Sequence, residues 1–342
     1  MSFIQNTLDL STPFKERFWQ LANGTQVIWH SRGVVEFIPH LDFDSHCAVV
    51  LSSGIHGNET SPIELLDTII EDIQSGELSL SHPCLFIYGH PTATHQHTRF
   101  IDTNLNRLFS HHQIPNDSML EMALANRLMK SVDAFFTKHN TKEKWHLDLH
   151  CAIRSSQHYT FAIHPHNHHY KRSESLLEFL SRSKIEACLF SEAPASTFSW
   201  YSAEYYGAHA ATVELGKVSR MGENDLTQLS EFNEALRNMI SCADYFEQES
   251  LDSTLIEYQV TRSIMKQSDH FTFDFPTDLA NFTQFNENDL LATDEGIQYI
   301  AQPGGESVVF PNAKVENGHR ACLLLNRAND KIRLLSALPY KL

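Results

Sequence analysis

Between about residues 47 and 215, short apolar runs alternate with segments whose apolar residues recur at helical spacing. Strands buried on both faces of a sheet give continuous apolar runs, whereas amphipathic helices repeat apolar positions every three or four residues. Strands that alternate with helices predict an α/β domain with a mostly parallel or mixed sheet. The predicted strands cover residues 47–51, 84–88, 145–149, 159–163 and 211–215.

The first predicted helix begins at Ser61 and is well signalled. Ser61, Pro62 and Glu64 form a capping-box pattern with proline at the first helical position, and Gly76 is placed to end the helix. Three further helices are predicted over residues 117–137, 173–183 and 225–248.

After about residue 250 the pattern changes to a period of two, broken by turn-like stretches, which predicts a smaller antiparallel β domain. We therefore predict two domains, an α/β domain over residues 1–248 and a β domain over residues 249–342. The predicted strands of the second domain cover residues 255–264, 271–275, 307–310, 321–325 and 332–335.

Composition narrows the class of protein. The formal net charge is -16, from 26 Lys+Arg against 42 Asp+Glu, which argues against nucleic acid or an anionic membrane as the main partner. Residues 1–18 lack a signal-peptide pattern, and no apolar run reaches the ~20 residues of a membrane span. The six cysteines are scattered without a CxxC pair, so we expect reduced thiols and a cytoplasmic protein.

Candidate metal ligands lie between the first predicted strand and the first helix. Residues 53–60 read Ser-Gly-Ile-His-Gly-Asn-Glu-Thr, and open α/β sheets place their active sites in such turns. His56 and Glu59 are three residues apart, so one turn aims both at one ion, and imidazole with carboxylate suits zinc. His150, at the end of a predicted strand, is the candidate third ligand. Asp148 points to the same face of that strand and is placed to orient His150.

Four motifs in order resemble one family. They are His-Gly-Asn-Glu at 56–59, the run from Arg99 to Arg107, Asp-Leu-His at 148–150 and Val-Glu-Leu-Gly at 213–216. Together they resemble the aspartoacylase and succinylglutamate desuccinylase family, which is related to the zinc carboxypeptidases. The resemblance covers roughly residues 45–220 and, more loosely, the β domain. It implies a zinc carboxypeptidase-like mixed sheet flanked by helices, followed by a smaller antiparallel β domain.

The resemblance also implies roles for individual residues. Glu214 corresponds to the general base, while Asn106, Arg107 and Arg99 correspond to residues that hold the substrate and polarise the scissile carbonyl. One zinc ion per subunit is implied, with His56, Glu59 and His150 as its ligands.

Elementary chemistry agrees with these roles. Zinc lowers the pKa of water from ~15.7 toward ~7, and a carboxylate such as Glu214 must then move the proton to the leaving amine. Burial of Glu214 is expected to raise its pKa toward the working range. Arg99 is placed to stabilise an oxyanion, and the planar fork of Arg107 suits a substrate carboxylate.

The substrate is a small N-acyl amino acid, and its identity is the finer inference. Ala152, Ile153 and Arg154 after the Asp-Leu-His motif resemble the desuccinylase branch of the family. The resemblance then implies hydrolysis of N2-succinylglutamate to succinate and glutamate, in bacterial arginine degradation. The three carboxylates of that molecule suit several cations, Arg154 among them. Two alternatives stay open: an aspartoacylase-like deacylase of another N-acyl acidic amino acid, and a metal-binding protein without catalysis.

Other features have plainer interpretations. Lys217 and Arg220 are expected to be solvated charges, and the histidine-rich stretch 158–169 is expected to be an exposed loop rather than a second metal site. For the β domain we consider two roles, completing a homodimer interface or covering the pocket.

Overall fold

One mixed sheet of 13 strands runs through the protein in the computed structural model, which describes residues 2–40, 45–111, 118–245 and 254–328. A second sheet of three strands lies in the C-terminal region. In chain order the strands are β1 (Arg17–Gln20), β2 (Gln26–Ser31), β3 (Val34–Ile38), β4 (Cys47–Ser53), β5 (Cys84–Tyr88), β6 (Glu143–Ala152), β7 (Thr160–His164), β8 (Ala187–Phe190), β9 (His209–Lys217), β10 (Ile256–Met265), β11 (Thr272–Phe273), β12 (Thr283–Phe285), β13 (Leu290–Asp294), β14 (Ile297–Ile300), β15 (Glu306–Val309) and β16 (Arg320–Arg327).

Helices cover both faces of the main sheet. The α-helices are α1 (Phe3–Leu8), α2 (Ser61–Ser75), α3 (Pro91–His95), α4 (Leu120–Lys138), α5 (Glu174–Arg182), α6 (Phe198–Tyr206) and α7 (Ser230–Ser241), with 3₁₀ turns at Leu105–Arg107 and Leu226–Leu229. Helices α2, α5 and α7 share one buried apolar cluster with the sheet, and α4 and α6 share another. None of these helices is both long and apolar enough to cross a membrane.

The main sheet has the order β1-β2-β3-β5-β4-β6-β9-β7-β8-β10-β16-β15-β12. Strands β5, β4, β6 and β9 are parallel neighbours, whereas β7 lies antiparallel to β9. The five strands predicted between residues 47 and 215 are confirmed as β4, β5, β6, β7 and β9. All seven residues of β4 are buried, as an interior strand requires.

The sequence prediction missed β1, β2 and β3, which form an antiparallel extension at one edge of the sheet. Three of the four residues of β1 are exposed, and β2 mixes exposed with buried positions. Neither strand therefore has the continuous apolar run by which the interior strands are recognised.

The predicted capping box at the start of α2 is wrong. The N-cap is Thr60, whose side chain does not cap the helix, and Pro62 is the second residue of the helix. The Glu64 carboxylate instead accepts a hydrogen bond from Asn224 Nδ2 at 2.8 Å, and Thr60 Oγ1 donates to the carbonyl of Ser219 at 3.0 Å. Long-range contacts have replaced the local cap. The predicted end is confirmed, since Gly76 caps the helix with φ of +88°.

Helices α4 and α5 match their predicted ranges closely within the described residues. Helix α7 is shorter than the predicted 225–248, because a 3₁₀ turn occupies the start of that range and the α-helix ends at Ser241. The C-terminal region is antiparallel as predicted, with β16 between β10 and β15. Strand β10 also pairs in parallel with β8, so the main sheet is continuous from one region to the other. The predicted boundary at 248/249 and the predicted strand at 332–335 lie outside the described residues.

Three central parallel strands position the candidate site. The carboxyl ends of parallel strands meet at the same edge of a sheet. The segment after β4 carries His56 and Glu59, β6 carries His150, and β9 carries Glu214. Adjacent strands therefore bring together residues that are far apart in sequence.

Candidate metal centre and active site

The segment that carries His56 and Glu59 is packed tightly against its surroundings. Both side chains are buried, at 3% and 2% exposure. A Cβ placed on Gly57 would lie 2.3 Å from the backbone carbon of Ala93, so only glycine fits. The Gly57 amide donates to the carbonyl of Arg99 at 3.0 Å. The turn is thus fixed on α3 and on the segment that follows it.

Three potential ligand atoms converge in this site. His56 Nδ1 lies 3.2 Å from His150 Nδ1. Glu59 Oε1 lies 2.9 Å from His56 Nδ1, and Glu59 Oε2 lies 2.7 Å from His150 Nδ1. Among the described residues this is the group of histidine, cysteine and carboxylate side chains arranged to hold a metal ion.

The outward nitrogens of both rings are held by acceptors. His150 Nε2 lies 2.9 Å from Asp148 Oδ2, and His56 Nε2 lies 2.9 Å from Asn104 Oδ1. Because a carboxylate and an amide oxygen can only accept, each Nε2 carries a proton and donates it. Each Nδ1 is therefore free to present a lone pair to a cation between the rings.

The electrostatics of the site fit a cation. Two buried lone pairs that face each other beside a carboxylate are unfavourable unless a positive charge lies between them. Burial opposes protonation of His150, but the Asp148 and Glu59 carboxylates outweigh it and hold its pKa well above the usual value, so His150 Nδ1 attracts a positive charge, either a proton or a metal ion that replaces it. The ligands of a tetrahedral zinc lie roughly 3.4 Å apart, given bonds of about 2.1 Å. The observed spacing of 2.7–3.2 Å is close to that arrangement.

Glu214 lies beside this cluster on β9. It is the register partner of His150 on the neighbouring strand β6. Its Oε2 atom is buried and accepts no hydrogen bond from a described residue. Burial and the nearby charge of Glu59 raise the pKa of Glu214 to about 7. A carboxyl group with that pKa can both take and return a proton near neutral pH.

Arg99 contacts Glu59 directly. Its guanidinium donates to Glu59 Oε1, and 32% of the Arg99 side chain is exposed. Asp102, three residues further along, donates its backbone amide to Glu121 Oε1 at 3.0 Å. Arg99 therefore lies beside the ligand cluster with about a third of its side chain open to solvent.

Asn106 and Arg107 occupy the 3₁₀ turn that Asn104 caps. Asn106 is buried, its Oδ1 accepts the Phe198 amide at 2.8 Å, and its Nδ2 lies 3.3 Å from His150 Nε2. Arg107 is exposed and donates to the carbonyl of Asn106 at 2.6 Å. The structure thus brings Asn106 against a candidate ligand, while the Arg107 side chain reaches the surface.

The surroundings of Arg107 are cationic. Although the Arg107 side chain reaches solvent, its partial desolvation by the surrounding protein, together with the charges of Arg320 on β16 and Arg99, lowers the pKa of Arg107 to about 10. The side chain therefore remains charged at neutral pH. In a chain with a net charge of -16, this concentration of arginines suits an anionic ligand.

Arg154 lies at the contact between the segment after β6 and the C-terminal region. Its guanidinium donates to the carbonyl of Thr277. Next to it, the Gln157 amide donates to the carbonyl of Asn281 at 3.0 Å. The structure therefore places Arg154 against the C-terminal region, close in sequence to His150.

The histidine-rich stretch does not gather around a common point within the described residues. His168 contacts the Glu204 carboxylate, whereas His169 Nε2 lies 2.9 Å from the carbonyl of Glu204. His158 Nε2 lies 3.0 Å from the hydroxyl of Tyr258. Each of these rings has its own partner. The expectation of an exposed loop is wrong for His164, which ends β7 and is buried at 1% exposure.

The sequence reasoning missed three residues of the site, namely Asn104, Ser52 and His146. Asn104 accepts a hydrogen bond from His56 Nε2. It belongs to the Asn-Leu-Asn-Arg run at 104–107, from which the sequence analysis predicts roles only for Asn106 and Arg107. Ser52 and His146 contact each other and lie on strands beside Asp148. Their signal was the alternation His-Leu-Asp-Leu-His at 146–150, which places three polar side chains on one face of a buried strand.

Comparison of the sequence with known protein families gives two matches, one in each region of the chain. Residues 45–240 match the family described as succinylglutamate desuccinylase/aspartoacylase catalytic domain. Residues 253–328 match the AstE/AspA barrel-sandwich hybrid domain. The chain is 44% identical over 324 residues to succinylglutamate desuccinylase of Vibrio parahaemolyticus serotype O3:K6, covering 95% of this chain and 93% of the relative.

Solved structures agree with the sequence relatives. A crystal structure of succinylglutamate desuccinylase from Vibrio cholerae superposes with a TM-score of 0.89 and 43% identity, covering 96% of this chain and 95% of that one. Murine aminoacylase 3 shares the fold at a TM-score of 0.60 and 18% identity, covering 84% of this chain and 97% of that one. The predicted fold class is confirmed as a zinc carboxypeptidase-like mixed sheet flanked by helices, with a smaller antiparallel C-terminal sheet.

Proposed function

The chain belongs to the succinylglutamate desuccinylase/aspartoacylase family, and on that premise we propose that it hydrolyses N2-succinylglutamate to succinate and glutamate. The observation that carries this proposal is its identity of 44% over 95% of the chain with a relative of that name. The reaction is the hydrolysis of a linear amide, and its place is in arginine catabolism. The free state of all six cysteines fits a cytoplasmic enzyme.

We propose that the ion is zinc, one per subunit, held by His56, Glu59 and His150. The support is chemical: two neutral imidazole nitrogens and one carboxylate are a donor set that catalytic zinc sites use, with a further position left for water or substrate. When bound, zinc supplies Lewis-acid chemistry, which acidifies water and polarises a carbonyl group.

Glu214 is proposed as the general base and acid. As a carboxylate it takes the proton of the attacking water when the water oxygen bonds to the amide carbon. It then delivers that proton to the amide nitrogen, so that the carbon–nitrogen bond breaks and glutamate leaves as a neutral amine. Its raised pKa suits both steps near neutral pH, because neither protonation state is strongly favoured.

The arginines are proposed to act on charges of the substrate. Arg99, beside the ligand cluster, is assigned to the oxygen that becomes negative as the tetrahedral intermediate forms. Arg107 is assigned to a substrate carboxylate, for which its planar fork provides two parallel hydrogen bonds. Substrate contact by Asn106 and Arg154 remains part of the proposal. Asn106 Nδ2 lies 3.3 Å from His150 Nε2, and Arg154 follows His150 closely in the sequence.

The test is a comparison of two substrates. Zinc-loaded protein receives N2-succinylglutamate and N-acetylaspartate in parallel, and free glutamate and free aspartate are quantified over time. Strong preference for succinylglutamate is the expected result. Preference for acetylaspartate would transfer the same mechanism to the aspartoacylase reaction, and release from neither substrate by a zinc-loaded protein would contradict the proposed function.

A further inference from the structure

A chain of buried polar side chains extends away from the candidate metal centre into the protein interior. Ser202 Oγ lies 2.6 Å from His146 Nδ1, and His146 Nε2 lies 2.9 Å from Ser52 Oγ. Ser52 Oγ donates to Asp148 Oδ1 at 2.6 Å, and Asp148 Oδ2 lies 2.9 Å from His150 Nε2. Ser202, His146, Ser52 and Asp148 are all 0% exposed.

The fold brings these residues into line. His146, Asp148 and His150 alternate along β6 and therefore point to one face of the sheet. Ser52 on β4 is the register partner of Asp148, so the two side chains lie on the same face at the same level. Ser202 comes from α6, which packs on that face.

The direction of every hydrogen bond in this chain can be deduced. A hydroxyl has one proton, and Ser52 gives it to the Asp148 carboxylate. His146 Nε2 must then be the donor to Ser52 Oγ. A neutral histidine with a protonated Nε2 has only an acceptor at Nδ1, so Ser202 must donate there. Burial lowers the pKa of His146 to about 4, which agrees with a neutral ring.

All donors thus point toward Asp148. Its Oδ1 receives the proton of Ser52, and its Oδ2 receives the Nε2 proton of His150. A carboxylate held at only one oxygen can rotate about its terminal bond, because that torsion is broad. The contact with Ser52 holds the second oxygen, and the contact with His146 holds Ser52 in turn.

We propose that Ser52, His146 and Ser202 are positioning residues that hold Asp148 in the orientation that presents His150 Nδ1 to the metal. This inference rests on the proposed metal site and adds three residues to it, none of which touches the metal or the substrate. Groups behind metal ligands typically change metal affinity by 10–100-fold when they are removed.

The experiment is measurement of zinc affinity by competition with a chelator, on the full chain and its variants. Ser52→Ala removes the anchor of Asp148, and zinc is expected to bind about 10-fold or more weakly. Ser52→Thr keeps the hydroxyl and should restore most of the affinity. Ser183→Ala is the matched control. The Ser183 side chain is also buried and donates a hydrogen bond through its hydroxyl, but it lies at the end of α5, away from the hydrogen-bonded side chains that lead to Asp148.

The outcomes separate this inference from the proposed function. If the parent protein binds no zinc, the metal site itself is contradicted. If the parent binds zinc and Ser52→Ala binds it equally tightly, the positioning role is contradicted while the site stands. Equal weakening by Ser52→Ala and Ser183→Ala would also overturn the role, since it would reflect general loosening of the fold.

A second measurement does not depend on metal or on activity. Nitrogen-15 chemical shifts of the His146 ring report which nitrogen carries the proton. The protonated Nε2 form is expected in the parent protein. A protonated Nδ1 would reverse the deduced direction of the hydrogen bonds and overturn the inference.

If Ser52→Ala fails to fold, Ser202→Ala replaces it, because Ser202 lies at the far end of the hydrogen-bonded side chains. It should weaken zinc binding in the same direction, and unchanged affinity would then contradict the role.

Discussion

Glu214 and His150 are register partners on the adjacent parallel strands β9 and β6. Their side chains therefore leave the sheet on the same face and at the same level. A carboxyl group that is placed by a strand rather than by a loop is held rigidly next to the ligand cluster. Removal of its charge should for that reason affect proton transfer without disturbing the metal ligands.

We expect Glu214→Gln to lower turnover of succinylglutamate by about 10²–10⁴-fold, the usual contribution of general acid–base catalysis. Zinc content should stay at the parent level, because Glu214 is not a ligand in the proposed site. Steady-state kinetics and metal analysis on the same sample check both points. Glu174→Gln, an exposed change on α5, serves as the control, and parent-like turnover in Glu214→Gln would contradict the assignment of the base.

Asn104 supports the other histidine. Asn104→Ala removes the acceptor 2.9 Å from His56 Nε2 and should weaken zinc binding by about 10-fold. Asn104→Asp retains an acceptor and should bind zinc at least as tightly as the alanine variant. Chelator competition gives the affinities. Identical affinities in all three proteins would show that His56 needs no such partner.

Gly57→Ala should disrupt the turn that carries His56 and Glu59. The added methyl would lie 2.3 Å from backbone atoms of α3, and overpacking of this kind typically costs about 1–3 kcal/mol. We expect a lower melting temperature together with weaker zinc binding. Gly76→Ala is the comparison: it places a methyl group in open space at the end of α2, so it should reduce stability through its positive φ but leave zinc affinity unchanged.

Arg107 is assigned to a substrate carboxylate, so its loss should appear mainly as an increase in KM. Arg107→Met removes the charge, and Arg107→Lys keeps the charge but loses the planar fork. Both should lower kcat/KM, with the methionine variant lower than the lysine variant. Initial rates over a range of substrate concentrations provide the values. An unchanged KM in both variants would remove Arg107 from the substrate site.

Asp67 on α2 gives a prediction about stability and pH. Burial raises the pKa of Asp67 to about 6, above its value of about 3.9 in an unfolded chain. The folded protein therefore favours the protonated form, and the cost of charging Asp67 grows as the pH rises from about 4 to 6 and is complete above 6. Asp67→Asn should stabilise the protein by about 1–2 kcal/mol at pH 8, a figure reduced because solvent screens this partly exposed side chain, and by little at pH 4. Denaturant unfolding at the two pH values tests this, and equal effects at both would contradict the raised pKa.

The interior of the fold could be predicted from sequence because its strands carry a strong signal. Residues 47–51 and 84–88 are continuous apolar runs, which is the pattern expected of a strand that is covered on both faces. The edge strand β1 has no such requirement, and its pattern is correspondingly mixed. The start of α2 was mistaken because Thr60 and Glu64 form contacts with residues about 160 positions away, which no local pattern reveals.

The residues of the candidate site divide in the same way, into those that a local sequence motif reveals and those that depend on contacts in the folded protein. His56, Glu59 and His150 stand in short motifs with ligand chemistry, so their convergence could be predicted. Asn104 and Ser52 act through the orientation of other side chains, and a serine or asparagine has no distinctive signature for that task. Pairing across strands β4 and β6 is what gives Ser52 its partner, and that pairing is a property of the folded chain.

The parallel pairing of β10 with β8 has a consequence for any attempt to separate the two regions of the chain. If the C-terminal region were cut away, the backbone amides and carbonyls of β8 along that side would lose their partners and form a bare sheet edge. Bare edges of this kind recruit strands from other molecules and promote aggregation. The C-terminal region therefore also protects the main sheet from edge-to-edge association, because β10 pairs with the exposed side of β8. A chimera that exchanges it will remain monodisperse only if the replacement supplies a strand that runs parallel to β8.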